Sequence, residues 1–201
     1  LVGSEMCIRD RWEHRLKPVR TRYGWGTAAS PALHDGRLYI VNDNDDASYL
    51  LALDAKTGKE IWKKERKEKS NWSTPFVWKN AKRTEIITPG SKKNRAYGLD
   101  GKVLYEWTGC SSITIATPYA SGGLLYVSSG YIGDRRKPLF AIKPGASGNI
   151  TLQGQDTSND HIAWCLKRGA PYNPTTIVYQ GRLYVCLLYT PDAADEVDGV
   201  D

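Results

Sequence analysis

Histidine is close to absent from this chain. There are three in 201 residues, and neither His34 nor His161 has a second His, a Ser or a Cys at a spacing used for metal binding or nucleophilic catalysis. Both read as ordinary surface or core side chains. Cysteine is nearly as scarce, with four and no adjacent pair. Cys110 and Cys165, the two in the body of the chain, read as unpaired core thiols, and so few say little about redox compartment. No apolar run approaches the roughly 20 residues that carry a helix across a membrane, so no transmembrane segment is expected. The 19 glycines form neither GxGxxG nor GxxxxGK(S/T), which argues against a phosphate-cradling loop of those types.

What is present in quantity is a repeat. Ser30-Pro31-Ala32-Leu33-His34-Asp35-Gly36-Arg37-Leu38-Tyr39-Ile40 aligns without a gap to the stretches 117–127 and 175–185. Each runs from a small or hydroxyl residue through a strand and a glycine turn to Leu-Tyr-Ile/Val. A fourth copy, from Thr74 to Ile87, has a longer turn. Pro31, Pro75 and Pro118 stand 44 and 43 residues apart. Repeats of about 40–45 residues made of short strands are the mark of propeller blades. The expected fold is all-β, a partial β-propeller of about three four-stranded antiparallel blades plus the first strand of a fourth.

Within the first blade, Tyr49–Leu53 reads as a strand, Asp54-Ala55-Lys56-Thr57-Gly58 as a tight turn, and Lys59–Lys63 as a half-buried outer strand. The pattern Ala52-x-Asp54-x-x-Thr57-Gly58-x-x-x-Trp62 resembles the tryptophan-docking motif of the pyrroloquinoline-quinone (PQQ) type β-propeller repeats. The second blade keeps a shortened form from Gly98 to Trp107. The third has Ala141–Gly145, an insertion, and then Trp164. The resemblance covers roughly residues 24–185. It implies that Trp62, Trp107 and Trp164 are structural docking residues, and that the complete ring has about seven or eight blades. It also implies an exported bacterial protein, periplasmic or at the cell surface.

The two ends differ from the rest. Leu1-Val2-Gly3-Ser4-Glu5-Met6-Cys7-Ile8-Arg9-Asp10-Arg11 resembles a translated sequencing adapter. Residues 186–201, beginning Cys186-Leu187-Leu188-Tyr189-Thr190, resemble the opposite adapter, with Pro191 departing from its translation. On this reading 1–11 and 186–201 are artefacts and 12–185 is a partial propeller, a piece of a longer protein. Charges in the first segment cancel and the second carries five acids, so the net charge of +6 rises to about +11 for the part between.

Quinoprotein dehydrogenases of the resembled family hold PQQ beside a calcium ion, with a catalytic Asp, a stacking Trp and an adjacent Cys-Cys disulfide. That constellation is not visible in this sequence. No catalytic or metal-binding residue is therefore assigned and no cofactor is expected; PQQ and calcium enter only under the alternative, a fragment of a quinoprotein alcohol or sugar dehydrogenase. The oxygen-rich run Asn42-Asp43-Asn44-Asp45-Asp46 lacks the Gly and distal Glu of a hand-type calcium loop and reads as a solvated hairpin loop. The run Lys56, Lys59, Lys63, Lys64, Arg66, Lys67 and Lys69, interleaved with Glu60, Glu65 and Glu68, reads as a solvated rim rather than a nucleic-acid track. The positive excess still favours acidic surfaces or anionic polymers.

Ligands of propellers sit where each outer strand crosses to the next inner strand. Trp25, Asn71, Trp72, Tyr172 and Asn173 fall in those crossings, placing aromatic and amide groups around one rim. The expected function is a non-catalytic binding or assembly scaffold that takes a protein or carbohydrate ligand at this face. The resembled family includes scaffolds that carry the repeat and bind no quinone, so the repeat does not imply the cofactor.

Overall fold

The computed structural model describes residues 12–186. Both adapter-like stretches lie outside the described residues, except Cys186, which is exposed.

Three four-stranded meanders follow one another, each running from an inner to an outer strand. The first contains β1 (Ala32–His34), β2 (Arg37–Asn42), β3 (Tyr49–Asp54) and β4 (Glu60–Glu65), hydrogen-bonded in that order. The second contains β5 (Phe76–Lys79), β6 (Thr84–Thr88), β7 (Asn94–Tyr97) and β8 (Val103–Trp107). The third contains β9 (Tyr119–Ser121), β10 (Leu124–Ser128) and β11 (Leu139–Ile142), makes an excursion through β12 (Gly148–Asn149), and closes with β13 (Ile162–Leu166). Where the sequence predicts the first strand of a fourth blade, the structure has a hairpin of two, β14 (Ile177–Tyr179) and β15 (Arg182–Tyr184). The inner strands β1, β5 and β9 neighbour one another in sequence order, as blades around an axis do. The fold is all-β and is a partial β-propeller.

The repeat is legible in backbone detail. Asp35-Gly36, Gly122-Gly123 and Gln180-Gly181 all have both residues at positive φ, the two-residue turn whose twist suits a hairpin. Every blade also carries a register shift between its third and fourth strands, after Ala52, Ala96 and Ala141. The residues facing these alanines are Trp62, Tyr105 and Trp164.

Trp62 lies on the turn of the second blade, its Nε1 donating to Leu99 O at 3.0 Å and its ring lying against Gly101. Trp164 faces the fourth repeat, packing with Tyr126, Val178 and Leu183. Trp107 differs from this pair: it stands opposite Asn94, two residues beyond Tyr105. The turn before β8 is one residue shorter than that before β4, so the step of four from Gly58 to Trp62 leads from Gly101 to Tyr105. Trp107 is instead fully buried between the second and third blades, edge-on to Phe140 at 6.2 Å.

Apolar cores lie between blades rather than within them. Tyr39, Val41, Leu50 and Ala52 of the first meet Ile86 and Tyr97 of the second. Ile87, Ala96, Tyr105 and Trp107 meet Leu125, Val127, Phe140 and Ile142 of the third. The opposite face of the first blade, Tyr49, Leu51 and Leu53, is covered by Trp12, whose Nε1 donates to Ala55 O at 3.0 Å and whose ring lies on Gly58. Ala55 and Leu99 occupy the same place in their turns, so Trp12 repeats the contact of Trp62 one blade earlier.

The insertion of the third blade spans the turn between Lys143, whose N–H donates to His161 O, and His161 itself. It reaches back to the second blade, where β12 pairs in parallel with β8 and turns a four-stranded sheet into a five-stranded one.

Candidate functional site

Three crossing segments are stitched together at one end of the blades. Ser30 N donates to Thr74 Oγ1, Trp72 N to Thr114 O, and Ser73 Oγ to Ala116 O. Over them runs a single 3-10 turn, Arg22–Gly24, held by Arg22 N to Ser70 Oγ at 2.9 Å and by Gly26 N to Thr21 Oγ1.

This turn completes a continuous row of aromatic rings around one guanidinium. Trp72 lies 5.5 Å from Trp25, and Trp25 lies 5.0 Å from Tyr23. The Arg22 guanidinium sits 5.1 Å from the Tyr23 ring and 5.9 Å from Tyr131, which lies 5.2 Å from Tyr172. Arg22 also donates to Ser112 Oγ. Trp25 and Tyr23 are 54% and 63% exposed, a large apolar area in water for side chains that normally bury most of theirs. Partial burial, with Tyr131 close by, raises the Tyr172 hydroxyl above its ordinary value.

Of the residues proposed from the sequence, Trp25, Trp72 and Tyr172 belong to this row, and Asn173 is exposed beside Tyr172. Trp72 forms its floor: it is 7% exposed and its Nε1 donates to Gly26 O at 2.8 Å. Asn71 does not face the rim. Its side chain is buried, donating to Pro89 O at 2.6 Å and to Asp43 Oδ2 at 3.2 Å. Arg22, Tyr23 and Tyr131 were missed. Tyr23 stands two residues from Trp25 in the same crossing and was within reach of the same argument, whereas nothing in the loop after β10 marked Tyr131.

Asn71 is drawn inward by a buried ion pair. Arg66 is 1% exposed and binds Asp43 with both arms, Nε to Oδ1 at 2.8 Å and Nη2 to Oδ2 at 3.0 Å. Its other donors reach Pro89 O, Thr88 Oγ1 and Tyr97 OH. Arg66 therefore departs from the solvated rim expected for the basic run. Glu68 departs from it too, buried against Arg95 and the backbone of Lys92. A guanidinium with this many acceptors stays charged, its proton held more firmly by Asp43 despite burial.

The oxygen-rich loop is likewise not solvated at its start, since Asn42, Asp43 and Asn44 are buried. Its carboxylates are turned to protein donors: Asp43 to Arg66, Asp45 to Ser70, and Asp46 to Arg20. Among the described residues no three His, Cys, Asp or Glu side chains gather as metal ligands. Cys110 and Cys165 are free thiols, and neither neighbours another cysteine in sequence. No helix among the described residues is long and apolar enough to cross a membrane.

Residues 9–81 match the family model described as outer membrane protein assembly factor BamB, a PQQ-repeat model. Among solved structures the chain is similar to BamB from Moraxella catarrhalis, at 14% sequence identity and a TM-score of 0.43, over 77% of this chain and 50% of that one. The chain spans half the length of that structure. No curated protein sequence matches it. The matched residues span the first blade and the first strand of the second, within a fold that is a partial β-propeller.

Proposed function

We propose that this chain is part of a non-catalytic PQQ-type propeller that binds a partner protein at the rim made by Tyr23, Trp25, Arg22, Tyr131 and Tyr172. The observation that supports it is the exposed aromatic row centred on a guanidinium. Trp, Tyr and Arg are the side chains that dominate protein-binding hot spots, because each offers a wide contact area with a polar edge at low entropic cost. Trp25 leans on the buried Trp72 ring, tilted 48° to it at 5.5 Å, so that the outer ring has a support before any partner arrives. The family description of an assembly factor accords with a scaffold, and a periplasmic or surface location belongs to the same reading. Carbohydrate is the other ligand class that stacks on such rings, and the test separates the two.

Because Trp72 is a buried floor, the informative variant is Tyr23→Ala with Trp25→Ala, which removes exposed surface only. A photo-crosslinking side chain at position 23, in extracts of the source organism, should capture one protein. The capture should be lost when Trp25→Ala is added. Binding of an oligosaccharide array by the parent chain, abolished in the double variant, would instead assign the rim to sugar. A parent chain that captures no protein and binds no sugar would refute a ligand at this rim.

A further inference from the structure

A second accumulation of unpaired charge lies away from the basic run that stands out in the sequence. The loop joining β10 to β11 carries Arg135, Arg136 and Lys137, and the segment leaving β13 carries Lys167 and Arg168. Two backbone bonds zip these segments together, Lys137 N to Lys167 O at 3.4 Å and Ala170 N to Lys137 O at 2.9 Å. Five cations are thereby brought to one place. Among the described residues none of the five is in an ion pair, whereas Arg66, Arg83 and Arg95 all are.

A cleft of about 420 Å³ opens between these segments and the excursion that carries β12. Arg135, Arg136, Lys167 and Arg168 line it against a single carboxylate, Asp156, and Phe140 and Leu152 give it an apolar side. The Lys167 ammonium is already aimed across it, donating to Gly154 O at 3.2 Å and Gln155 Oε1 at 3.3 Å. A second cavity of about 520 Å³ shares Arg135 and Arg168 and adds Lys137 and Asp134. A third, of about 320 Å³, shares Arg135 and Arg136. Asp134 lines the second and third clefts and accepts from Ser112 N–H, but it forms no ion pair with Arg135, which stands at the meeting point of all three.

Like charges held this close repel, and guanidinium forks match phosphate oxygens in two-point geometry. The volume falls in the range of small-ligand sites, and the apolar wall suits an organic body beside the anion. We propose that this cleft binds a phosphorylated small ligand, its phosphate oxygens on Arg135, Arg136 and Arg168 and its body against Phe140 and Leu152. The phosphate can belong to a soluble ester or to a phospholipid headgroup; the recognition chemistry is the same.

Inorganic pyrophosphate is the probe, titrated calorimetrically into the full chain at low ionic strength. Submillimolar binding is expected, weakened about tenfold or more in Arg135→Ala with Arg168→Ala, both exposed side chains, since each removes a charged hydrogen-bonding group. Lys56→Ala with Lys59→Ala, exposed cations on the first blade, should bind as the parent does. Tyr23→Ala with Trp25→Ala should also leave it unchanged, so failure of the rim and of the cleft are told apart. Cosedimentation with phosphatidic-acid vesicles, competed by pyrophosphate, assigns the headgroup as source, and binding of pyrophosphate without cosedimentation assigns the soluble ester. Absence of pyrophosphate binding at millimolar concentration overturns the proposal, as does equal weakening in the Lys56/Lys59 variant.

Discussion

Arg66 and Asp43 form a two-armed ion pair whose side chains are both wholly shut off from water. Arg66 leads from β4 into the crossing towards the second blade, and Asp43 lies in the loop that follows β2. The pair ties the crossing to the loop behind it, and Asn71 and the Pro89 carbonyl complete the set. Arg66→Met leaves Asp43 buried without a counter-charge and should cost about 3–5 kcal/mol, read from the urea midpoint. Adding Asp43→Leu to it should recover a large part of that loss. A double variant no more stable than the single one would mean that the hydrogen bonds to Thr88 and Pro89, not the charges, carry the effect.

Trp62 joins the first and second blades through one hydrogen bond and a ring laid on Gly101. Trp62→Phe keeps most of the ring and should lose about 1 kcal/mol; Trp62→Ala should lose about 3 kcal/mol. Gly101→Ala should cost about 1–2 kcal/mol, because φ is +78° there and a Cβ would sit 3.1 Å from the Trp62 ring. Thermal melts of the three variants measure this. A Gly101→Ala chain that melts with the parent would show that the ring is not seated on the turn.

Acid should loosen the first-blade turn. Asp54 accepts from Thr57 Oγ1, Thr57 N and Lys56 N, and these bonds, Thr57 first, hold its carboxyl below the usual range. Asp46, bonded by Arg20, and Asp100, bonded by Lys102, are lowered as well. A depressed carboxylate contributes stability that is whole above the unfolded value of about 3.9 and is lost as pH falls through the lower folded value. Melting temperature should therefore hold from pH 7 to about 5 and fall below about 4. Asp54→Asn should melt lower at pH 7 and show a shallower acid limb; an acid limb as steep as the parent's would rule Asp54 out as a contributor.

The half-buried Cys110 and the buried Cys165 should resist alkylation. Burial pushes Cys110 up to about 12 and Cys165 to about 11. Against an ordinary thiol near 8.5, the thiolate fraction of Cys110 at pH 8 is lower by roughly a thousandfold. In iodoacetamide labelling followed by peptide mass spectrometry, the exposed Cys186 should react long before either. Comparable rates would place the core thiols in contact with solvent.

How far the sequence carried depends on how local each feature is. Two-residue turns such as Asp35-Gly36, the Leu-Tyr strand that follows and the proline spacing are short-range signals, and they were sufficient for blade order and fold class. Trp107 departs from the docking position expected of it because the glycine turn, not the tryptophan, sets the register, and that turn points to Tyr105. The insertion was visible as extra length, but its destination on β8 is a contact between blades that no local pattern encodes. The aromatic row was half legible: crossings could be located, and the structure brings Trp25, Trp72 and Tyr172 into that row. Asn71 could not be separated from them, because its burial depends on an Arg and an Asp drawn from distant parts of the blade. The unpaired cations of 135–137 and 167–168 were hidden for a similar reason, since only the zipped backbone makes them neighbours.

The β12 excursion makes the second and third blades inseparable as sequence units. A blade that begins and ends with its own repeat can be duplicated, deleted or transplanted whole. Here the strand that guards the outer edge of one blade is encoded inside the next, and Arg83 reinforces the loan by donating to the Ala146 carbonyl. A chimaera cut between β8 and β9 would bare the backbone of β8 and leave Tyr105 and Trp107 with one wall missing. No strand is borrowed across the crossing before β5, whereas across the crossing before β9 the two repeats share β12.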